Sequence, residues 1–77
     1  MAQQGNAQAQ LNVGIMYEFG KGTTQDYTSA VHWYKSAAVQ GSSEAQTRLG
    51  WMYENGKGVE QDYSQAISLY KLSLIHI

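Results

Sequence analysis

The sequence predicts an all-α fold in which four antiparallel helices form two helix-turn-helix repeats of an α/α superhelix. Three observations lead there. The chain matches itself at an offset of 36 residues, apolar residues recur at helical spacing between glycine stops, and proline is absent while helix-favouring Ala, Gln, Leu, Met, Glu and Lys are frequent.

The internal match is the strongest of the three. At that offset Gly5 falls on Gly41, and 16 of the 37 pairs from there to the end are identical. Chance supplies roughly two or three identities for ordinary composition, so the pairs record a duplication. A period of this length is that of stacked helix pairs. The chain reads as one repeat domain over 1–77, with repeat one at 5–40 and repeat two at 41–77.

The first helix is expected at about 6–19, with Ala9, Val13, Met16 and Tyr17 on one arc and Gly20 and Gly22 as its stop, since glycine enters the left-handed conformation that closes a helix without a Cβ clash. Asp26 then caps the second helix, at about 26–40, by accepting an orphan amide hydrogen bond and placing negative charge at the positive end of the helix dipole. Gly41 ends it. For the third helix, at about 43–55, Ser42 or Ser43 supplies the cap, Ser43 with Gln46 fits a capping box, and Ala45, Leu49, Met52 and Tyr53 recur at helical spacing. Gly56 and Gly58 stop this helix. Asp62 with Gln65 fits a second capping box before the fourth helix, at about 62–75, where Ala66, Leu69 and Tyr70 share a face.

Gly14 and Gly50 lie inside the first helix of each repeat, where glycine costs about 1 kcal/mol relative to alanine. Close helix approach is the expected compensation. With Ala9, Ala30, Ala37 and Ala38 also small, the two helices of a repeat can pack tightly while Tyr17, Trp33 and Tyr34 fill the space between repeats.

Composition removes several functions. Five Lys and Arg against six Asp and Glu give a net charge of −1, without the basic surplus of a phosphate-binding surface. Cysteine is absent, so the core rests on apolar packing alone, in a chain whose size buries only roughly 60% of its unfolded surface. Met1-Ala2-Gln3-Gln4-Gly5 has neither part of a secretory signal, and no apolar run nears the roughly 18 residues of a membrane span. A soluble chain is expected, cytoplasmic or periplasmic, without membrane insertion.

No residue set specifies chemistry. His32 beside Trp33 reads as a surface or interface residue, and His32 and His76 lack further ligands at metal spacing, so neither metal nor cofactor is expected. Gly20-Lys21-Gly22 follows a helix and lacks the strand and hydroxyl end of a phosphate loop. Asp26 and Asp62 are accounted for as caps. Tyr17 recurs as Tyr53 and Tyr34 as Tyr70, and these tyrosines, with Trp33, read as packing rather than stacking platforms.

These residues resemble the Sel-one-like repeat (SLR) family, a relative of the tetratricopeptide arrays with a slightly longer unit. The family pattern is met in the second copy by Ala45, Leu49, Gly50, Tyr53, Gly56, Gly58, Val59, Asp62 and Ala66, and in the first by Ala9, Gly14, Tyr17, Gly20, Gly22, Asp26, Ala30, Trp33, Ala37, Ala38 and Gly41. Val13 stands where the family has Leu, Thr23 where it has Val, and Leu69 where it has Trp. The resemblance implies a right-handed superhelix that gathers protein or peptide partners on its concave face, with no catalytic motif, nucleic acid or small-molecule substrate. A cysteine-rich branch associated with β-lactam hydrolysis is an alternative that depends on disulfides this chain cannot form. A passive spacer within a larger, bacterial repeat protein is another.

In the related tetratricopeptide arrays the first helix of each unit lines the concave surface. Beside the repeat arc, Asn12, Ile15 and Phe19, with their equivalents Arg48, Trp51 and Asn55, occupy a neighbouring arc outside the pattern. These six are the candidate partner contacts, and packing on the neighbouring repeat is the competing reading for Ile15, Phe19 and Trp51.

After Lys71 the repeat fails, and the chain reads Leu72-Ser73-Leu74-Ile75-His76-Ile77. A terminal cap should turn polar, whereas this tail turns apolar. The transposon-end sequence of DNA sequencing libraries, CTGTCTCTTATACACATC, translates to those six residues. Residues 72–77 are therefore expected to be non-native, with the natural chain continuing into further repeats.

Overall fold

A computed structural model describes residues 6–75; Gly5, His76 and Ile77, with the rest of the first five residues, lie outside that range. The elements in order are α1 (Ala7–Phe19), α2 (Tyr27–Val39), α3 (Ser43–Asn55) and α4 (Tyr63–Ile75), and there is no strand among the described residues. α1 packs on α2, α3 on α4, and α2 on α3, so the two hairpins stack through their middle helices.

Each helix begins at a side chain that accepts the amide three residues on. Asn6 accepts from Ala9 at 3.0 Å, Asp26 from Ser29 at 3.2 Å, Ser42 from Ala45 at 3.2 Å and Asp62 from Gln65 at 3.2 Å. Ser42 is thus the cap of α3 and Ser43 its first helical residue. That replaces the expected Ser43–Gln46 capping box. Gln46 instead reaches back across the junction, its Nε2 donating to the Ala38 carbonyl at 3.1 Å. The register follows from Gly41, whose φ of 94° lets the Ser42 amide return to the Ala37 carbonyl at 3.2 Å, which leaves the Ser42 hydroxyl aimed into the next helix.

α1 and α3 end at Gly20 and Gly56, both left-handed, and the loops that follow are stitched alike. Gln25 Nε2 donates to the Glu18 carbonyl and Gln61 Nε2 to the Glu54 carbonyl, both at 2.8 Å. The Asp26 and Asp62 amides return to the Tyr17 and Tyr53 carbonyls, both at 2.9 Å. Identical residues at identical spacing yield identical connections.

The core comprises Leu11, Ala30, Val31, Tyr34, Ala37, Ala45, Leu49 and Met52. Its centre explains the helical glycines. A Cβ on Gly14 would come within 2.6 Å of the Tyr34 ring, and one on Gly50 within 2.8 Å of the Tyr70 ring. Each glycine is a seat for the tyrosine of its own repeat. Tyr34 therefore fills space within repeat one, and it also reaches the junction between repeats, where it shares the buried cluster with Ala45, Leu49 and Met52. Trp33 corrects the expectation that it packs between repeats, for it lies outside the core cluster, half-buried, with its ring edge-on to His32 at 5.4 Å. Tyr17 packs against the cluster from its margin.

Candidate functional site

The hairpins leave an open groove of about 490 Å³, lined by Glu18, Phe19, Gln25, Tyr27, Thr47, Arg48 and Trp51. Three of the six expected contact residues, Phe19, Arg48 and Trp51, meet there. Phe19 closes α1 and remains exposed because the chain turns away at Gly20. Arg48, one turn into α3, is drawn over it, with its guanidinium 5.7 Å from the ring centroid, within cation–π reach. Trp51 follows on the same side of α3 and is exposed.

Arg48 is held by two carboxylates. Its Nη1 lies 3.7 Å from Glu18 and its Nη2 3.2 Å from Glu44, one turn earlier on α3. Glu18 is buried, and the Tyr34 hydroxyl donates to its carboxylate from below. Burial, reinforced by the Glu18 hydrogen bond and charge, raises the Tyr34 phenol well above its ordinary range, while Arg48 acts in the opposite sense. The chain of contacts Tyr34–Glu18–Arg48 fixes the groove floor to the core beneath it. A buried carboxylate so paired orients the guanidinium more than it strengthens the fold.

The other three candidates stand elsewhere. Ile15 is half-buried against the core cluster. Asn12 is exposed and accepts from Gln8 Nε2 at 3.2 Å, and Asn55 donates to the Trp51 carbonyl at 3.0 Å. Neither asparagine lines the groove. Four residues that do, Glu18, Gln25, Tyr27 and Thr47, are absent from the sequence-based set. Glu18, Gln25 and Tyr27 recur as Glu54, Gln61 and Tyr63, and that recurrence marks them as scaffold; only the groove shows that scaffold residues also form its wall.

Among the described residues no group of three or more His, Cys, Asp or Glu is placed to hold a metal ion. No described helix is long and apolar enough to cross a membrane.

Stacked two-helix hairpins with a glycine-seated tyrosine in each define a helical repeat protein of the α/α superhelix class. The Sel1 repeat family model matches residues 7–42 and 43–74, and the chain belongs to that family. Two solved structures are similar to it throughout. A Sel1 repeat protein from Oxalobacter formigenes superposes with a TM-score of 0.96 at 36% identity, over 99% of this chain and 31% of its own. The protective antigen c5321 of uropathogenic Escherichia coli, which displays an SLR fold, gives a TM-score of 0.94 at 40% identity, over 96% of this chain and 16% of its own. The ERAD-associated E3 ubiquitin-protein ligase component HRD3A of Arabidopsis thaliana is 46% identical over 37 residues, 47% of this chain and 6% of that protein. The chain thus spans less than a third of each of these relatives. Sel1 repeats typically serve as protein-interaction scaffolds.

Proposed function

We propose that this chain is a non-catalytic protein- or peptide-binding scaffold whose contact surface is the groove around Phe19, Arg48 and Trp51. One observation carries the reading: three side chains that the repeat does not prescribe converge on one open groove and share it with Tyr27. Aromatic and Arg side chains clustered in this way dominate the energetics of protein interfaces. The charged groups of the groove, Glu18 and Arg48, are paired with each other, which suits recognition better than proton transfer. Asn12 and Asn55 would contribute at the margin, and Ile15 only through packing.

The setting we propose is a longer bacterial repeat protein. The two bacterial structures and the small share of each that the chain spans support it. Residues 72–77 are proposed to be translated library sequence, although α4 runs through Ile75 with Leu72 and Leu74 exposed. A genomic locus encoding those six residues in place would refute that part.

A displayed peptide library selected on the wild-type chain tests the function. Phe19→Ala, Arg48→Ala and Trp51→Ala are each expected to weaken the selected peptides by roughly 30-fold, the equivalent of a hot-spot loss of about 2 kcal/mol. Melting temperatures should hardly move for Phe19→Ala and Trp51→Ala, whereas Arg48→Ala also leaves buried Glu18 without its cation and should lower its own. Lost melting temperature with unchanged affinity would assign these residues to packing and overturn the reading.

A further inference from the structure

Among the described residues, both halves of the α2–α3 junction recur uncovered at the two ends of the stack. On its α3 side Ala45, Leu49 and Met52 are buried, and the loop at Gly58 rests on the first turn of α2, where a Cβ would run into the Tyr27 carbonyl. Their equivalents 36 residues earlier are Ala9, Val13, Met16 and Gly22. Ala9 and Val13 are only half-buried, Met16 is exposed, and a Cβ on Gly22 would meet nothing nearer than the Met16 methyl at 4.0 Å.

The α2 side repeats in the same way. Val31 and Tyr34 are buried and Tyr27 half-buried, whereas on α4 the equivalent Ile67 and Tyr63 are exposed and Tyr70 is half-buried. The adjoining edge of α1 follows suit, since Leu11, Ile15 and Glu18 become the exposed Thr47, Trp51 and Glu54. Large apolar side chains gathered on one face and left in water mark an interaction surface.

We infer that the 77-residue chain, as it stands, associates head to tail with a second copy of itself, the α1 face of one copy seating on the α4 face of the other as α3 seats on α2. Each face is the complement of the other, and both are on the one chain, so a second copy brings a complete partner. Met16, Ala9 and Gly22 are identical to Met52, Ala45 and Gly58, Tyr63 and Tyr70 are identical to Tyr27 and Tyr34, and Ile67 exceeds Val31 by one methylene. The polar edge matches as well. Glu54, which accepts from Tyr70 at 2.7 Å, takes the place of Glu18, and Asn12 of the second copy brings an amide donor where Arg48 stands at the internal junction. Leu74 in place of Ala38 adds bulk at the rim of the face. Such a contact is heterologous, so a dimer retains one free face of each kind and assembly grows with concentration.

Sedimentation velocity of the full chain from micromolar to millimolar concentration tests this, together with Met16→Lys and Ile67→Lys, both at exposed positions. Circular dichroism checks that each variant is helical, and Met16→Ser or Ile67→Ser replaces one that is not. The sedimentation coefficient of the wild type is expected to rise with concentration, while each variant alone remains a monomer. An equimolar mixture of the two variants should form a one-to-one dimer and stop there, because the Ile67→Lys copy keeps an intact α1 face and the Met16→Lys copy an intact α4 face. A wild type that stays monomeric throughout, or a mixture that fails to dimerise, overturns the proposal. Loss of association with Ile67→Lys but not with Met16→Lys also overturns it, since that pattern belongs to a symmetric contact between two α4 faces.

Discussion

Asp26 and Asp62 cap their helices at the same distance, Gln25 and Gln61 tie their loops to the same carbonyl, and Gly20 and Gly56 adopt the same left-handed turn. The side chains around them fare differently. Val31 retains 4% of its exposure and its equivalent Ile67 53%, while Met52 is sealed and Met16 retains 41%. Backbone conformation in a repeat is decided within the repeat, by caps and glycines, whereas burial is decided by what stacks against it. Two copies of one pattern therefore carry unequal shares of the stability.

Met52 and Met16 are the heaviest pair. Met52→Ala is expected to lower the unfolding free energy by about 3 kcal/mol and Met16→Ala by less than about 1 kcal/mol, because only the former opens a cavity. Urea denaturation at low protein concentration measures both, and similar losses would show that stacking does not set the difference.

The glycine seats sharpen the contrast. Tyr34 is fully enclosed and its ring cannot retreat from a new methyl group, so Gly14→Ala should cost about 2 kcal/mol through overpacking. Tyr70 is half-buried and can yield, and the better helix propensity of alanine, about 1 kcal/mol, should leave Gly50→Ala close to neutral. The same denaturation series checks this pair.

The tyrosine hydroxyls come next. Tyr34→Phe removes the donor to buried Glu18 and should cost about 1.5 kcal/mol, against less than about 1 kcal/mol for Tyr70→Phe. Burial, followed by the hydrogen bond and charge of Glu54, pushes the Tyr70 phenol up to about 12 from its ordinary 10.0, and Tyr34 is pushed further. A phenol held more tightly in the folded state contributes its full stability below pH 10.0 and loses it as the pH rises from there through the folded-state value. Melting temperature should therefore fall as the pH rises from 10.0 towards about 12, and Tyr34→Phe and Tyr70→Phe should each make that fall shallower by a similar amount.

The caps are the smallest contrast. Hydrogen bonds from the Ser29 hydroxyl and then the Ser29 amide lower the Asp26 carboxyl below its usual value, so its contribution is lost as the pH falls through that lowered value. Asp26→Ala and Asp62→Ala are expected to lower the melting temperature at neutral pH by similar amounts. A large difference would show that even the caps depend on position in the stack.

The local structure of the chain is legible in its sequence. The offset of 36 residues, the Asp caps and the glycine stops specify four helices, since each signal acts within a few residues of where it is read. Long-range relations are less legible. Ser42 and Ser43 are equivalent on paper, and only the turn through Gly41 chooses between them. Gly14 reads as a place of close approach, but the object approaching is a tyrosine ring twenty positions away. Phe19, Arg48 and Trp51 stand out because they break the pattern. Glu18 and Tyr27 escape notice because they keep it, and a residue serving both scaffold and groove shows only its first role in the sequence.

Val31 and Ile67 offer the most direct measurement of the central claim that neighbours in the stack, rather than the repeat itself, set the energetic weight of each position. Ile67→Ala removes more side chain than Val31→Ala. Coverage by α3 predicts the reverse order of cost, about 2 kcal/mol for Val31→Ala against less than about 1 kcal/mol for Ile67→Ala, by urea denaturation at concentrations where the chain is monomeric. Equal losses, or a larger loss at Ile67, would contradict it.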